Sequence, residues 1–326
     1  TGVQTCALPI LVFGAIAMIG YLSVRFFPAQ EQSASPVIST KDETKHMQIY
    51  MMDSDKTLVP LSIPVSEEMS EEDKLALMFS YMSGKQEIKG FTPLFTKECT
   101  LQSSSIKNGI VSLYFDDSLK NYDKENELRI LEAITWGATQ FHDIEQVKLY
   151  LNDKQLTSMP NAQTPIPEIL NRSIGINHFE TSTTTLHDSA SLTVFYTKKV
   201  QGNEYMVPKS KRVAQSQGDA LKASVENILS DISVSSALDQ PLYADDIKVS
   251  SFDVYDGSLI VNLNKNILAS NRTVKQDVYN ALVLSLAALP GIEKVEVRVD
   301  GVTVSPKDQK EDMVSVYALT YNEVQF

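Results

Sequence analysis

Two adjacent carboxylates, Asp116 and Asp117, have side chains and a position that could support chemistry. They follow an apolar stretch that ends at Phe115, and hydrolysis of a glycosidic bond requires a pair of carboxyl groups. In a second copy of this stretch, described below, the same two positions hold Asn264 and Lys265. Because a catalytic pair would exist in one copy only, the sequence favours solvated carboxylates at the end of a strand over a hydrolase site.

Histidine is the other residue type that could bind a metal or act as a base, and the chain contains His46, His142, His178 and His187. None of them has a second ligand at the spacing typical of zinc sites. His187 is followed by Asp188 and Ser189, but neighbours in sequence rarely converge on one reacting atom, and no Gly-x-Ser-x-Gly motif is present. We therefore predict no catalytic, metal-binding or cofactor-binding residues and no cofactor.

The remaining candidate ligand-binding residues have simpler structural explanations. No glycine-rich phosphate-binding motif is present, and Gly109 and Gly257 are predicted to lie in hairpin turns. The acidic run from Glu67 to Asp73 is typical of the positive end of a helix. Trp136 and Tyr122 could anchor a partner, but Trp136 lies near the apolar face of a predicted helix and is expected to pack in the core.

Composition excludes one class of partner. The chain has 326 residues, a formal charge of −12 and a pI near 4.9. Nucleic-acid binding requires a local surplus of lysine and arginine, which is not visible here, so we predict no nucleic-acid partner. The length and the 43% hydrophobic content suffice for two cores of ordinary domain size. Cys6 and Cys99 are the only cysteines, so neither a disulfide framework nor a metal site is predicted.

The secondary-structure elements that would position these candidate residues are predicted twice along the chain. Residues 103–158 recur as residues 251–306, and an offset of 148 positions relates Gly109 to Gly257 without a gap. The same offset aligns apolar positions: Leu113 with Val261, Ala133 with Ala281, Ile144 with Ile292 and Val147 with Val295. Two copies of one unit therefore make up most of the chain.

Each copy is predicted to form a hairpin, a helix and a returning strand. In the second copy, apolar residues alternate on both sides of Asp256-Gly257, recur every three or four residues from Thr273, and alternate again from Val295 to Val299. Pro290-Gly291 is expected to end the helix. The first copy has its turn at Asn108-Gly109. Its helix stripe is predicted to be Leu128, Leu131, Ile134, Ala138 and Phe141.

Two strands and a helix precede each copy. In the first half, strands are predicted at 48–52 and 57–65, and Pro60 and Pro64 indicate that the second of them lies at an edge or ends early. A helix follows, which a capping box opens at Ser70 and Gly84 ends. The second half repeats this order at 191–197, 204–208 and 220–229. The sequence therefore predicts an α+β fold with two tandem β-β-α-β-β-α-β-like domains, each with its helices packed on one face of a sheet.

An apolar run from Ala7 to Val24 precedes both domains and is about as long as the minimum for crossing a bilayer. It predicts a membrane anchor or an uncleaved signal segment, although residues 1–10 resemble a translated sequencing-adapter remnant. The predicted organisation is a membrane or signal segment at 1–27, a tether at 28–45, a first domain at 46–159, a linker at 160–189, a second domain at 190–312 and a tail at 313–326.

Four segments carry a family resemblance: SLTVFYTKK at 191–199, EYMVPKSKRV at 204–213, DVYDGSLIVNLNKNI at 253–267 and VEVRVDGVTVSP at 295–306. They resemble the duplicated GerMN domains of the GerM-like sporulation and spore germination proteins of endospore-forming bacteria, over residues 45 to 310. The resemblance implies a protein outside the cytoplasm, held to a membrane and acting with other envelope or sporulation-complex proteins. One departure concerns lipidation, because the residues before Cys6 do not form a lipobox.

We therefore expect a non-enzymatic, membrane-anchored, extracytoplasmic assembly or scaffold factor for an envelope-spanning complex. Its contacts would be made by edge strands or helix faces. Two alternatives remain. One is a module that binds peptidoglycan, which aromatic side chains on an exposed face would favour; the other is a wall hydrolase that uses Asp116 and Asp117.

Overall fold

The computed structural model describes residues 39–40, 46–178, 189–214, 220–230, 238–242, 246–269, 273–306, 314–315 and 319–324. Both predicted repeats belong to one compact unit, residues 35–326. None of the helices in the described ranges is long and apolar enough to cross a bilayer. The predicted membrane segment, and His187 with Asp188, lie outside the described residues.

The first domain has the predicted order of elements, with one short strand added at its end. These are β2 His46–Met52, β3 Leu58–Pro64, α1 Glu71–Met82, β4 Leu101–Lys107, β5 Ile110–Phe115, α2 Glu127–Ala138, β6 Gln146–Leu151 and β7 Lys154–Gln155. A two-residue strand, β1 Ser39–Thr40, precedes them. Short 3-10 helices lie at Asp117–Lys120, Lys124–Asn126 and Arg172–Ile174.

The second domain repeats the order. It contains β8 Ser189–Val200, β9 Asn203–Ala214, α3 Ala220–Leu229, β10 Val249–Tyr255, β11 Ser258–Leu263, α4 Gln276–Ala287, β12 Lys294–Val299 and β13 Val302–Thr303. Two short strands follow, β14 Val314–Ser315 on β12 and β15 Leu319–Thr320 on β1. The tail therefore contributes paired strands.

In the described ranges each domain contains two sheets, whereas the sequence predicted one. The larger sheets run β4-β5-β6-β7 and β10-β11-β12-β13, each with a parallel central pair between antiparallel neighbours. The opening hairpins, β2-β3 and β8-β9, form separate two-stranded sheets, and side chains from within or just after the second helix of each domain bond to their backbone. Gln140 bonds both the N–H and the C=O of Gln48 in β2, and the Ser285 hydroxyl accepts from Phe195 N in β8. Helix α2 contacts both β2 and β6.

The repeat extends to the hydrogen bonds of the turns. Asn108 and Gly109 have φ of 51° and 75°, and Asp256 and Gly257 have 47° and 69°, the left-handed pair that a two-residue hairpin turn requires. Glu145 N donates to Gly109 O at 2.8 Å, and its counterpart in the second copy donates to Gly257 O at 2.7 Å. The predicted turns are therefore confirmed in both copies.

Most of the predicted apolar stripe of α2 is buried, but Leu128 is 42% exposed. The prediction for Leu128 was wrong, since its side chain is exposed although the adjacent Glu127, in the same first turn, is buried. Every residue from Ile130 to Ala138 is buried, since α2 packs between a hairpin and a sheet. The predicted N-cap of α1 is confirmed, because the Ser70 hydroxyl accepts from Asp73 N at 3.1 Å.

The hairpin of the second domain is longer than predicted. Strands of seven and five residues were expected, but β8 and β9 have 12 residues each and meet at a turn formed by Gln201 and Gly202. The apolar alternation stops at Lys198, which suggested a loop. In the structure Lys198 is buried against carboxylates of the first domain, so the strand continues beyond the apolar pattern.

Glu127 fixes the segment that follows the first domain. Its side chain accepts hydrogen bonds from Asn161 N, Ala162 N and Thr164 N at 2.7–3.0 Å and from the Tyr122 hydroxyl at 2.7 Å. Burial opposes ionisation, but the backbone donors outweigh it and lower the pKa of Glu127 from 4.5 to about 2. The ionised form therefore stabilises the fold above pH 4.5, and this stabilisation is lost as pH falls toward 2.

We expect Glu127→Gln to lower the free energy of unfolding by about 2 kcal/mol at pH 7, after allowance for solvent screening. The difference from the unmodified chain should shrink between pH 4.5 and 2, because the carboxylate becomes protonated there. Denaturant unfolding at several pH values measures both effects. Glu125→Gln is the matched control, since Glu125 is exposed and pairs with Lys56 in solvent. Parallel pH profiles for the Glu127 variant and the unmodified chain would contradict the assignment.

Candidate functional site

The carboxylate pair of the first domain lies on the surface and is engaged locally. Asp116 accepts from Ser118 N at 2.9 Å and from Gln102 Nε2 at 3.0 Å. Asp117 is 2.7 Å from Lys120 Nζ. Hydrogen bonds from Ser118 and Lys120 respectively lower the pKa of the two carboxyl groups. A glycosidase needs one carboxyl group with a raised pKa as its acid, so this arrangement gives no support to a hydrolase.

Three of the four histidines, His46, His142 and His178, lie in the described part of the chain. His142 is exposed and lies 3.0 Å from Asp143, while His46 begins β2 and His178 follows the last 3-10 helix of the first domain. In the described part of the chain, no three His, Cys, Asp or Glu side chains are grouped to hold a metal ion. Cys99 is a buried free thiol, and burial raises its pKa to about 12.

Trp136 packs in the core, as predicted. It is 3% exposed, its indole N–H donates to Gly175 O at 2.9 Å, and the Arg172 guanidinium lies 4.7 Å from its ring centroid. Tyr122 is partly buried against Phe95, with its hydroxyl on Glu127. Both aromatic residues therefore hold the first domain together.

The structure brings together residues that the sequence had assigned to linker and tail. Asn177 is fully buried, with its side-chain oxygen accepting from Leu58 N at 2.8 Å. Its side-chain nitrogen donates to Leu58 O and, across the domain boundary, to Pro208 O, both at 2.8 Å. One amide thus joins the outer edge of β3 to that of β9.

Asn322 makes the equivalent hydrogen bonds, with the roles of the first and second domains reversed. Its side-chain oxygen accepts from Met206 N at 2.9 Å, and its nitrogen donates to Met206 O at 2.8 Å and to Pro60 O at 2.7 Å. Met206 and Pro208 stand 148 positions after Leu58 and Pro60. The two domains are therefore related by an approximate two-fold operation, and we call these two asparagines with their four backbone partners the interdomain clasp.

Asparagine suits both clasp positions for a second reason. Asn177 and Asn322 have φ of 53° and 56°, a left-handed conformation that asparagine tolerates better than most residues. Sequence comparison missed them because they are separated by 145 positions, three fewer than the repeat offset. An alignment that allowed this gap would have found the pair.

A buried ion pair adds to the contact between the domains. Lys198 of β8 places Nζ 2.5 Å from Asp53 Oδ2 and 3.0 Å from Asp55 Oδ2, in the turn between β2 and β3. The same ammonium donates to the Thr57 hydroxyl at 2.8 Å. Lys198 and Asp53 are both less than 5% exposed. The two domains are thus fixed to each other by polar contacts as well as by the core.

In the described part of each domain, the larger sheet ends on one side in a seven-residue strand. Among the described residues, β4 pairs only with β5 and β10 only with β11. A β-bulge lies near the start of each strand, at Gln102 and at Ser250, and the rest of each strand is regular. An unpaired edge presents backbone donors and acceptors to which another chain can add. These two edges are the candidate partner-binding sites.

Comparison with known proteins agrees with this architecture. Residues 48–157 and 193–305 match the family Germane, described as "Sporulation and spore germination". The chain is 30% identical over 279 residues to the spore germination protein GerM of Bacillus subtilis (strain 168), covering 83% of this chain and 76% of that protein. The solved tandem GerMN domains of the same protein match with a TM-score of 0.72 at 28% identity, over 83% of this chain and 96% of that one. The chain belongs to the Germane family of sporulation and spore germination proteins and carries two tandem GerMN-like domains.

Proposed function

We propose that this protein is a non-enzymatic, membrane-anchored, extracytoplasmic factor that assembles or scaffolds an envelope-spanning complex of sporulation and germination. The observation that carries the proposal is the pair of open strand edges, β4 and β10, on domains that the interdomain clasp holds at a fixed separation. Two strand-addition sites on one body can bring two other envelope or sporulation-complex proteins together. The apolar run from Ala7 to Val24 supports attachment to a membrane.

Ser104→Pro tests the edge of β4. The hairpin closes on the pair Lys107–Ile110, so the alternation of hydrogen-bonded pairs directs the N–H of Ser104 away from β5. Proline there removes an outward donor and leaves the internal ladder intact. We expect Ser104→Pro to melt within about 4 °C of the unmodified chain, yet to fail to localise its partners in a deletion strain of a spore former.

Ser104→Ala is the matched control, because it removes the same hydroxyl and keeps the backbone N–H. Fluorescence imaging of tagged envelope-complex components reports the outcome in both strains. Normal localisation of every component with Ser104→Pro, and also with the equivalent Phe252→Pro in β10, would defeat the proposal of strand addition. Normal localisation in the deletion strain itself would defeat the assembly role.

A further inference from the structure

The outward face of the first four-stranded sheet carries a cross-strand row of aromatic and polar side chains. Tyr114 of β5 pairs in register with Tyr150 of β6, and their rings stack with centroids 4.7 Å apart and planes 23° apart. Ser103 of β4 and Gln155 of β7 flank the two tyrosines on either side. Alternation in β5 turns Val111 and Leu113 into the core, so Tyr114 stands on the opposite, solvent side.

The aromatic pair is not required by the fold. At the same positions of the second domain, 148 residues later, stand Asn262 and Arg298. Arg298 is held there by Glu296, with Nε 2.7 Å from Oε1. The same sheet therefore forms with an amide and a guanidinium in place of two phenol rings. The tyrosines belong to the first domain alone, which indicates a role for that surface beyond stabilising the strands.

The chemistry of this face restricts its ligand. The row next to the tyrosines contains Ser112 paired with Lys148, and Lys148 has no carboxylate partner within 4 Å among the described residues. We call Ser103, Ser112, Tyr114, Lys148, Tyr150 and Gln155 the tyrosine face. It presents rings, hydroxyls, an amide and an ammonium but no carboxylate, in a chain of formal charge −12.

We infer that the tyrosine face binds a carboxylate-bearing glycan strand, the chemistry of peptidoglycan. The C–H face of a sugar ring packs on an aromatic ring, while sugar hydroxyls and acetamides bond to serine and glutamine. Lys148 is placed to pair with a carboxylate attached to the strand. A lipid surface would require a cluster of about four to eight lysines or arginines, more than this face contains. A protein strand would add at the neighbouring β4 edge.

Co-sedimentation of the full chain, in mild detergent, with purified peptidoglycan sacculi tests the inference. Tyr114→Asn installs the residue that the second domain carries at this position, so the fold should accept it. We expect it to weaken binding about two- to tenfold, the range for losing one aromatic contact. Tyr255→Asn on the second domain is the control, because Tyr255 is 81% exposed and lies outside the tyrosine face. Its binding should match that of the unmodified chain.

Lys148→Gln separates the charged contact from the aromatic one. It should weaken binding to sacculi and leave any binding to chitin, a neutral glycan, unchanged.

The inference is overturned if the unmodified chain does not sediment with sacculi, or if Tyr114→Asn binds as well as Tyr255→Asn. Tyr114-dependent binding to phosphatidylglycerol vesicles, or Tyr114-dependent self-association in ultracentrifugation, would instead assign the face to a membrane or to a second copy. Ser104→Pro should keep wall binding, so this inference and the assembly role can fail separately.

Discussion

Asn177→Ala is expected to lower the free energy of unfolding by about 3–5 kcal/mol, because it leaves backbone groups of Leu58 and Pro208 buried without partners. The side chain is fully buried, and its three hydrogen bonds are all 2.8 Å long. Alanine at φ 53° adds backbone strain of about 1 kcal/mol. Denaturant unfolding followed by the fluorescence of Trp136, the only tryptophan, measures the change.

Two further variants show whether the effect belongs to the interdomain clasp. Asn322→Ala removes the equivalent bonds on the other side and should cost a similar amount. Asn266→Ala is the control, since its exposed amide donates a hydrogen bond to Asp246 O, and we expect a loss below about 1 kcal/mol. A loss below about 1 kcal/mol for Asn177→Ala would mean that the clasp does not hold the domains together.

Lys198→Met should be the second strongly destabilising change, by about 3–5 kcal/mol at pH 7. Methionine preserves the apolar stem, but it leaves Asp53 buried and charged with no cation beside it. Lys56→Met is the exposed counterpart, because Lys56 pairs with Glu125 in solvent and should contribute at most about 1 kcal/mol. Denaturant unfolding of both variants gives the comparison.

The cause of the Lys198 effect can be isolated by a second substitution. Asp53→Asn keeps the side-chain oxygen that accepts from Asp55 N and Thr57 N, both at 2.9 Å, and removes the charge. Combined with Lys198→Met, it should recover a large part of the lost stability. If the double variant is no more stable than Lys198→Met, lost packing rather than an unpaired carboxylate explains the effect.

Local rules predicted most elements of this fold from the sequence. The hairpin turns at Asn108-Gly109 and Asp256-Gly257 and the cap at Ser70 depend on a few neighbouring residues, so their signals are complete within one segment. Position 128 was assigned to the core by its helical spacing, yet Leu128 is exposed, whereas the adjacent Glu127 is buried and accepts hydrogen bonds from Asn161 and Ala162. Spacing predicts the apolar face of a helix, but not which side of its first turn a segment from elsewhere in the chain covers.

The candidate sites could be predicted only in part. β4 and β10 are the first strands of the two repeated hairpins, and this order predicts their position at the edge of a sheet. The clasp does not follow from local patterns, because Asn177 and Asn322 bond to backbone atoms 31 to 262 residues away. Lys198 was equally hidden, since a lysine after an apolar run is typical of a loop and only the opposing carboxylates explain its burial.

The exchange of partners in the clasp has a thermodynamic consequence. A chain with one such domain could satisfy the same bonds only by pairing with another molecule, and dilution would then separate the two. In this chain the two domains are covalently linked, so they pair within one molecule. For a short linker, the effective concentration of one domain near the other is roughly millimolar. The two domains should therefore stay paired at protein concentrations so low that two separate molecules would dissociate.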